Sequence, residues 1–373
     1  MADEQGWLEV GTRVAEARRG RGYSQDDLAA ELGVDRTAIT KIEAGRRQVN
    51  SLELVRLSEV LERPLQWFVS LPPAAVISRR AAVAGQRGDQ NSDLAIEDIA
   101  RDLAVLAGVR VLTPSEAKGS LSAIAPGSNA DWSVELAASE ARSLLGVGSY
   151  EPLHELAGLV ERVGLFPYSL SLGEKSADGA YVEVEGLGVA LINGEIDAGR
   201  RRSTLAHELG HHLFGDAYSV DWGVGTDSIE SAIDSFAINL LFPRTGVAQR
   251  WAELRDGSEL RQAAIIISAE YRVSWTAALR QLRQFELISK DEYKSLDSRS
   301  PTRADYLECN LRVIEELQPP YVPTGVSAAA IRAYRSYRLS AERVTEMLRG
   351  EIQIDDLPVR DEIPLEALRG ELR

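Results

Sequence analysis

The stretch His207-Glu208-Leu209-Gly210-His211-His212 constrains this chain more than any other. The sequence holds 4 histidines in 373 residues, and three of them fall in these six positions. On an α-helix, residues four apart share one face, one turn from each other. His207 and His211 can therefore aim imidazole nitrogens at a single Zn²⁺. Glu208 projects beside them, where it can take a proton from a water at the metal. An ordinary amphipathic helix with incidental polar residues would carry the same letters, but a chance match is rare in so histidine-poor a chain. The expected apolar stripe is Leu205, Leu209 and Leu213, with Gly215 ending the helix. His207, Glu208 and His211 lie off that stripe, facing a cleft.

Length favours two or three domains, and a hydrophobic fraction of 44% is enough for packed cores. The net charge of −15 argues against a broadly basic, nonspecific nucleic-acid binder, though not against one small DNA-reading module. The single cysteine, Cys309, allows no internal disulfide and fits a reducing compartment. It reads as buried rather than reactive. The start, Met1 to Trp7, is acidic and lacks a signal pattern, and no apolar run is long enough to span a membrane. A cytoplasmic protein with no membrane partner is expected. The excess of Arg over Lys suits a GC-rich bacterial genome.

From Gly11 to Ser70 the chain reads as four or five short helices. Ser24 caps a helix over about 25–32, Gly33 turns the chain, and Asp35 caps a third helix from Arg36 that ends at Gly45. Ser51 caps a fourth with the stripe Leu54, Val55, Leu57 and Leu61, and Trp67-Phe68 close the core. Helix, tight turn, helix is the helix-turn-helix arrangement. The stretch Tyr23 to Arg46 resembles the Cro/C1-type (XRE) family. The resemblance implies that the third helix enters a major groove. Ala38, Ile39 and Ile42 then face the core, and Arg36, Thr37, Thr40 and Lys41 face bases or phosphates. Gln25, Arg46 and Arg47 are placed for phosphates. Here ten Lys/Arg stand against nine Asp/Glu, a net of +1 in a chain of −15. A protein-binding helical domain is the alternative. Family members bind as dimers to palindromic half-sites, so a homodimer on an operator is expected.

Pro72-Pro73 and the Gly-containing stretch to Asn91 mark a linker. Helices are expected over Leu94–Ala107, Trp132–Leu145 and Pro152–Val163, the last carrying His154 in a structural or exposed role. Residues 112–129 show little periodicity. Strands follow at Gly164–Tyr168, Ala180–Val184 and Gly188–Ile192, the last two as a hairpin around Glu185-Gly186. The strand Gly188–Ile192 is a position where a peptide could add as a further strand. After the histidine helix, Asp227 caps another, with Ile229, Ile233, Phe236, Leu240 and Leu241 as its stripe and Glu230 and Asp234 on another face. Glu230 has two readings: a third metal ligand, or the partner of Asp227 in a capping box.

The segments Arg202-Ser-Thr-Leu-Ala-His-Glu-Leu-Gly-His211 and Glu230-x-x-x-Asp234-x-Phe-Ala-x-x-Leu-Leu-Phe-Pro243 together resemble the ImmA/IrrE metallopeptidase family. The resemblance implies a zincin-like core with His207, His211 and Glu230 as ligands and Glu208 as base. Asp234 and His212 are expected to support the ligands from behind. Asp234 stands where the family commonly has Asn, and Phe242 where it has Met. A His–His–Glu set takes Zn²⁺, and Mn²⁺ is the other ion it suits. Tyr181, Tyr218 and an arginine of the run 200–202 are the candidates to meet a developing oxyanion.

Beyond residue 250, Leu260–Ser289 forms a second helix-turn-helix-like pattern around Val273-Ser274, expected to pack or to carry substrate. Asn310–Leu317 and Ala328–Arg349 read as helices, and the tail from Glu351 is acidic. The whole is expected to be mainly α with a small β-sheet (α+β). Its divisions are a helix-turn-helix domain at 1–72, a linker at 73–93, a peptidase core at 94–250, a helical extension at 251–297 and a helical regulatory region at 298–373. The expected function is a bacterial transcriptional regulator with a fused zinc endopeptidase that cleaves a repressor or antitoxin-like protein. Two other readings stay open: a regulator whose metal site senses without turnover, and an antitoxin that holds a partner toxin.

Overall fold

Short polar residues at helix starts organise the N-terminal helices, α1 (Ala2–Gly20), α2 (Gln25–Leu32), α3 (Arg36–Glu43), α4 (Ser51–Val60) and α5 (Leu65–Val69). The computed structural model describes residues 2–69, 90–113, 117–126, 133–173, 176–215, 226–312 and 314–360. Ser24 caps α2 through a capping box with Asp27, as its spacing predicts. Asp35 stands at the start of α3 but makes no side-chain cap bond. The fourth cap is Asn50 rather than Ser51: its side chain accepts from the Glu53 amide at 2.9 Å, and Glu53 returns the bond at 3.1 Å. The expected stripe on α4 is narrower than its letters suggest. Leu57 and Leu61 are buried, whereas Val55 is exposed. Leu28, Ile39, Ile42, Trp67 and Phe68 complete this core.

By packing, the chain divides into two units, Met1–Arg101 and Asp102–Arg373. The expected linker lies largely outside the described residues. The helix α6 (Gln90–Gly108) runs through the division. Its first half belongs to the N-terminal unit: Leu94 joins that core, and Glu97, fully buried, bonds Arg13 at 2.7 Å.

In the second unit, α7 (Val134–Leu144) and α8 (Leu156–Glu161) precede a three-stranded sheet of β1 (Leu165–Leu170), β2 (Gly179–Val184) and β3 (Leu187–Asn193). The order is β1-β3-β2, with β1 parallel and β2 antiparallel to β3. The hairpin turns at Glu185-Gly186, both at positive φ (50° and 78°), the signature of a two-residue type I′ turn. Because β3 is central and buried along its whole length, it has no free edge for an incoming peptide. That expectation is overturned; among the described strands β2 and β1 are the edges, and Tyr321 already bridges β1 at Ser169.

Then come α9 (Ala198–Phe214), α10 (Thr226–Leu241), α11 (Arg244–Gly257), α12 (Leu260–Glu270) and α13 (Trp275–Gln284). Leu205, Leu209 and Leu213 of α9 are fully buried, as are Ile233, Phe236, Leu240 and Leu241 of α10. The otherwise featureless stretch before α7 has a task here: the amides of Gly119 and Leu121 bond the carbonyls of His212 and Leu213 at the α9 C-terminus. The pair α12–α13 buries Ile267, Leu279 and Leu282 in the same core, so it packs as expected.

The C-terminal third departs from its pattern. Among the described residues of 310–317 none is helical; the helices before them are α14 (Lys290–Asp297) and one over Arg303–Glu308. The expected helix over 328–349 is two, Thr324–Arg335 and Ala341–Met347. The reason for the extended path is Glu316. Its carboxylate accepts from the amides of Glu155 and Leu156, both at 3.1 Å, and bonds Arg202 at 2.5 Å and Arg272. Glu155, at φ 55°, is thereby the turn into α8, which starts four residues later than its letters suggest. Asp102, nearly buried, similarly holds Arg343 and Arg349, at 2.5 and 2.6 Å. The tail beyond Arg360 lies outside the described residues.

Burial raises the Glu97 pKa, but its bonds and charge pairing with Arg13 and Arg101 outweigh this and hold it below the usual carboxylate range. The lowered value stabilises the fold above about pH 4.3, where an unfolded glutamate is ionised, and the contribution is lost as pH falls through the folded value. Glu97→Gln should therefore cost about 3 kcal/mol at pH 7, and less on acidification. Amide hydrogen exchange along α1 to α5 reads this directly; an equal difference at pH 7 and pH 3 would rule out the ion pair as its source.

Candidate metal centre and nucleic-acid interface

Helix α9 begins at Asp197, whose side chain accepts from the Arg200 amide, and ends at Gly215 in the left-handed conformation. With Leu205, Leu209 and Leu213 turned inward, the helical period turns His207 and His211 toward α10. Gly210 permits the approach. A Cβ there would lie 2.9 Å from Ile233 and 3.2 Å from Phe236, so any larger residue would push α10 away. The glycine inside the histidine motif is thus required by helix packing, which the spacing of the motif alone does not reveal.

The approach brings Glu230 over the two histidines. His207 Nε2 lies 3.1 Å from His211 Nε2 and 3.2 Å from Glu230 Oε2, and His211 Nε2 lies 3.8 Å from the same oxygen. Among the described residues, these three form the cluster able to hold a metal ion. A tetrahedral ion with bonds near 2.0–2.1 Å separates its ligand atoms by about 3.3 Å, so the donor set fits in both type and span. Helix α10 already runs from Thr226, which places Glu230 in its second turn with its carboxylate at His207. The Asp227 side chain lies outside the described residues.

Asp234, one turn further, bonds His207 Nδ1 at 2.8 Å. This fixes the ring so that Nε2 faces the cluster. The site favours positive charge. Burial alone would lower the His207 pKa, but the Glu230 bond, the Glu208 charge and Asp234 raise it to about 9. Glu230 is lowered in turn, chiefly by the bond to His207.

His212 does not support the cluster, contrary to expectation. It is buried, with Nε2 on the Val163 carbonyl at 2.8 Å and Nδ1 on the Tyr181 hydroxyl at 3.1 Å. A carbonyl can only accept, so Nε2 carries the proton and Nδ1 receives the tyrosine hydrogen. Burial lowers its pKa, and it remains a neutral bolt between α9 and the sheet. Tyr181 is thereby directed away from the cluster. Tyr218 lies outside the described residues, and His154 is exposed outside any helix.

Glu208 is buried at the edge of a cavity of about 370 Å³ lined also by Asp178, Gly179, Arg200, Ser203, Thr204, His207, Asp234, Ala237 and Ile238. Gly179, at the start of β2, passes so close that a Cβ there would sit 3.0 Å from Glu208 Oε1 and 2.3 Å from Thr204. Of the three arginines before the motif, Arg201 and Arg202 are buried. Arg201 bonds the carbonyls of Gly194, Ile196 and Glu316, and Arg202 bonds Glu316 and the Leu153 carbonyl. Arg200 alone of the three lines the cavity. The sequence singles out the run 200–202, but no motif signals the pairing of Arg200 with Asp178.

In the N-terminal unit, Arg36, Thr37, Thr40, Lys41 and Arg46 are exposed and Ile39 and Ile42 are buried; Ala38 is half-buried rather than core. Gln25 is occupied within the module: it accepts from the Thr40 hydroxyl at 3.0 Å and donates to Glu43 at 2.7 Å. Arg36 pairs loosely with Asp26 at 3.3 Å, and Arg47 pairs with Glu53 at 2.5 Å.

Residues 14–68 match the family model described as helix-turn-helix, and residues 160–283 match the peptidase model described as an IrrE N-terminal-like domain. No curated protein matches the chain. The second match ends within α13, which places the α12–α13 pair inside that domain.

Asp234→Ala should leave the fold intact and weaken Zn²⁺ binding about tenfold or more, since the His207 ring loses its anchor. Competition against a chromophoric chelator measures this; unchanged affinity would show that Asp234 does not orient the ligand.

Proposed function

From an XRE-type helix-turn-helix domain joined to an IrrE/ImmA-type metallopeptidase domain, we propose a DNA-bound bacterial regulator whose second domain hydrolyses one peptide bond in a specific regulatory protein. The observation that carries the reading is the convergence of His207, His211 and Glu230 beside Glu208 and an open cavity. His207, His211 and Glu230 would hold the ion, Zn²⁺ or Mn²⁺. When bound, the ion supplies Lewis acidity, lowering the pKa of a water and polarising a carbonyl. Glu208 takes the proton of the attacking water and passes it to the leaving amine. Asp234 keeps His207 in the tautomer that presents Nε2. A purely structural site is usually closed by a fourth protein ligand, and among the described residues the cluster holds three.

The substrate class we assign is a repressor or antitoxin-like protein. A peptide that adds as a strand would do so on β2, whose first residue borders Glu208. The helix-turn-helix unit would address the chain to an operator as a homodimer, with Arg36, Thr37, Thr40 and Lys41 toward the major groove and Gln25, Arg46 and Arg47 toward phosphates. Gln25 would serve there with its remaining amide hydrogen. No helix among the described residues is long and apolar enough to cross a membrane.

The deciding experiment compares the wild type with Glu208→Gln for bound metal and for new protein termini generated in a bacterial lysate. Metal in both with new termini only from the wild type is expected. Metal in both and termini from neither would favour a sensing site, and no metal in either would remove the site. For the DNA arm, a random oligonucleotide pool selected on the wild type should yield one operator-like sequence. Lys41→Ala should bind it more weakly and lower the salt slope by about 1; unchanged binding would exclude this face of α3.

A further inference from the structure

The helix Thr324–Arg335 ends on a residue its backbone does not favour. Past the cap at Ser336, the Tyr337 amide bonds the Tyr334 carbonyl at 3.0 Å, and the Arg338 amide bonds the Ala333 carbonyl at 2.8 Å. This pair of bonds is the Schellman closure, which turns the residue after the cap into the left-handed region. Glycine is the usual residue there, because a Cβ is strained at positive φ. Here the position holds a tyrosine at φ 62°. A bulky residue kept in that conformation is held by what its side chain touches.

What the Tyr337 ring touches is a cation. The guanidinium carbon of Arg360 lies over it, 4.6 Å from the ring centroid, and over the Tyr334 ring at 4.4 Å. Arg360 Nη2 also donates to the Leu339 carbonyl, a long bond of 3.5 Å. Among the described residues Arg360 forms no ion pair. The two ring faces and one carbonyl therefore hold it, a setting that suits a planar, delocalised and weakly hydrated guanidinium better than a compact ammonium. Pro358 and Val359 just before it are exposed, Val359 at 90%, whereas Arg360 is half-buried. Over these three residues burial falls on the arginine. The strained tyrosine and the stacked arginine are thus two observations of one site, at the end of one helix.

We propose that Tyr334 and Tyr337 form a binding site for an arginine side chain, filled in cis by Arg360 and open to an arginine-bearing peptide in trans when Arg360 is withdrawn. A short tether gives Arg360 an effective concentration on the order of millimolar, so the cis occupant wins and the site latches the tail. The proposal stands apart from the metal centre and from peptidase activity. The probe is a synthetic peptide with this chain's own sequence over residues 356–364, with Arg, Gln or Lys at position 360. Each is titrated into the full chain carrying Arg360→Ala and followed by NMR line broadening of the peptide. The Arg peptide should bind about 5- to 30-fold more tightly than the Gln peptide, the range of two exposed cation–π contacts. It should bind the unsubstituted chain more weakly than Arg360→Ala, because Arg360 fills the site. Adding Tyr337→Gly to Arg360→Ala separates the ring from the fold. Glycine suits the left-handed helix end, so amide exchange over 324–335 should stay as slow as before, while binding of the Arg peptide falls to the level of the Gln peptide. Equal binding of the Arg and Gln peptides, or binding unchanged by Tyr337→Gly, overturns the proposal. Equal binding of the Arg peptide to the unsubstituted chain and to Arg360→Ala overturns the cis latch, and a Lys peptide as tight as the Arg peptide overturns the selectivity for a guanidinium.

Discussion

The second unit turns on one buried charge. Arg202 enters the core on the helix that carries the histidine cluster and is 1% exposed. A guanidinium cannot shed its proton there, so it must be met by a carboxylate and by carbonyls. Glu316 meets it from 114 residues downstream and, with the same two oxygens, holds Arg272 and the amides of Glu155 and Leu156 at the start of α8. Three segments distant in sequence are thereby fixed to one carboxylate. The stretch around residue 316 is extended rather than helical because its backbone must reach into that junction. The C-terminal third is consequently part of the wall behind the histidine helix, not an appendage.

On the other side of the same helix, packing and chemistry are separated by the helical period. Leucines at 205, 209 and 213 bind the helix to the core, and the histidines face α10. Gly210 stands between the two faces and sets the distance between helices. Shorten that distance and the carboxylate of Glu230 comes within reach of both imidazoles; lengthen it and the set is broken. His212, adjacent in sequence to His211, belongs to the opposite face and is used as a hydrogen-bonded core residue. Its neighbour relation to the cluster is a relation of letters only.

The arginine run before the motif shows the same division of labour. Three identical side chains in succession have three environments, because consecutive helical residues are turned by about 100° from each other. Two are consumed in holding carbonyls and Glu316. The third, Arg200, lines the cavity and pairs with Asp178. In the N-terminal unit the equivalent economy is seen in Gln25, Thr40 and Glu43, which brace the two helices of the reading motif against each other while Lys41 and Arg46 remain exposed.

Much of this was legible in the letters because it is local. The i, i+4 histidines, the Ser24 capping box, the tight Glu185-Gly186 hairpin and the buried stripes all depend on residues within a turn or two of each other, where periodicity and backbone preference act. Family resemblance added the second acidic motif, and in the structure Glu230 and Asp234 lie 3.2 and 2.8 Å from His207. What the sequence could not fix were relations between residues far apart. That β3 is the middle strand, that His212 bonds Val163 and Tyr181, that Glu316 gathers Arg202 and Arg272, and that Asp178 pairs with Arg200 are all decided by packing. Each requires two segments, tens of residues distant, to be brought together, and no spacing rule along one segment can specify its partner. The sequence by itself determined the strongly periodic helices around the histidine motif and in the N-terminal unit and which faces they bury; the tertiary structure decided the path of the C-terminal third and which charges meet, because only the folded core removes water from between them.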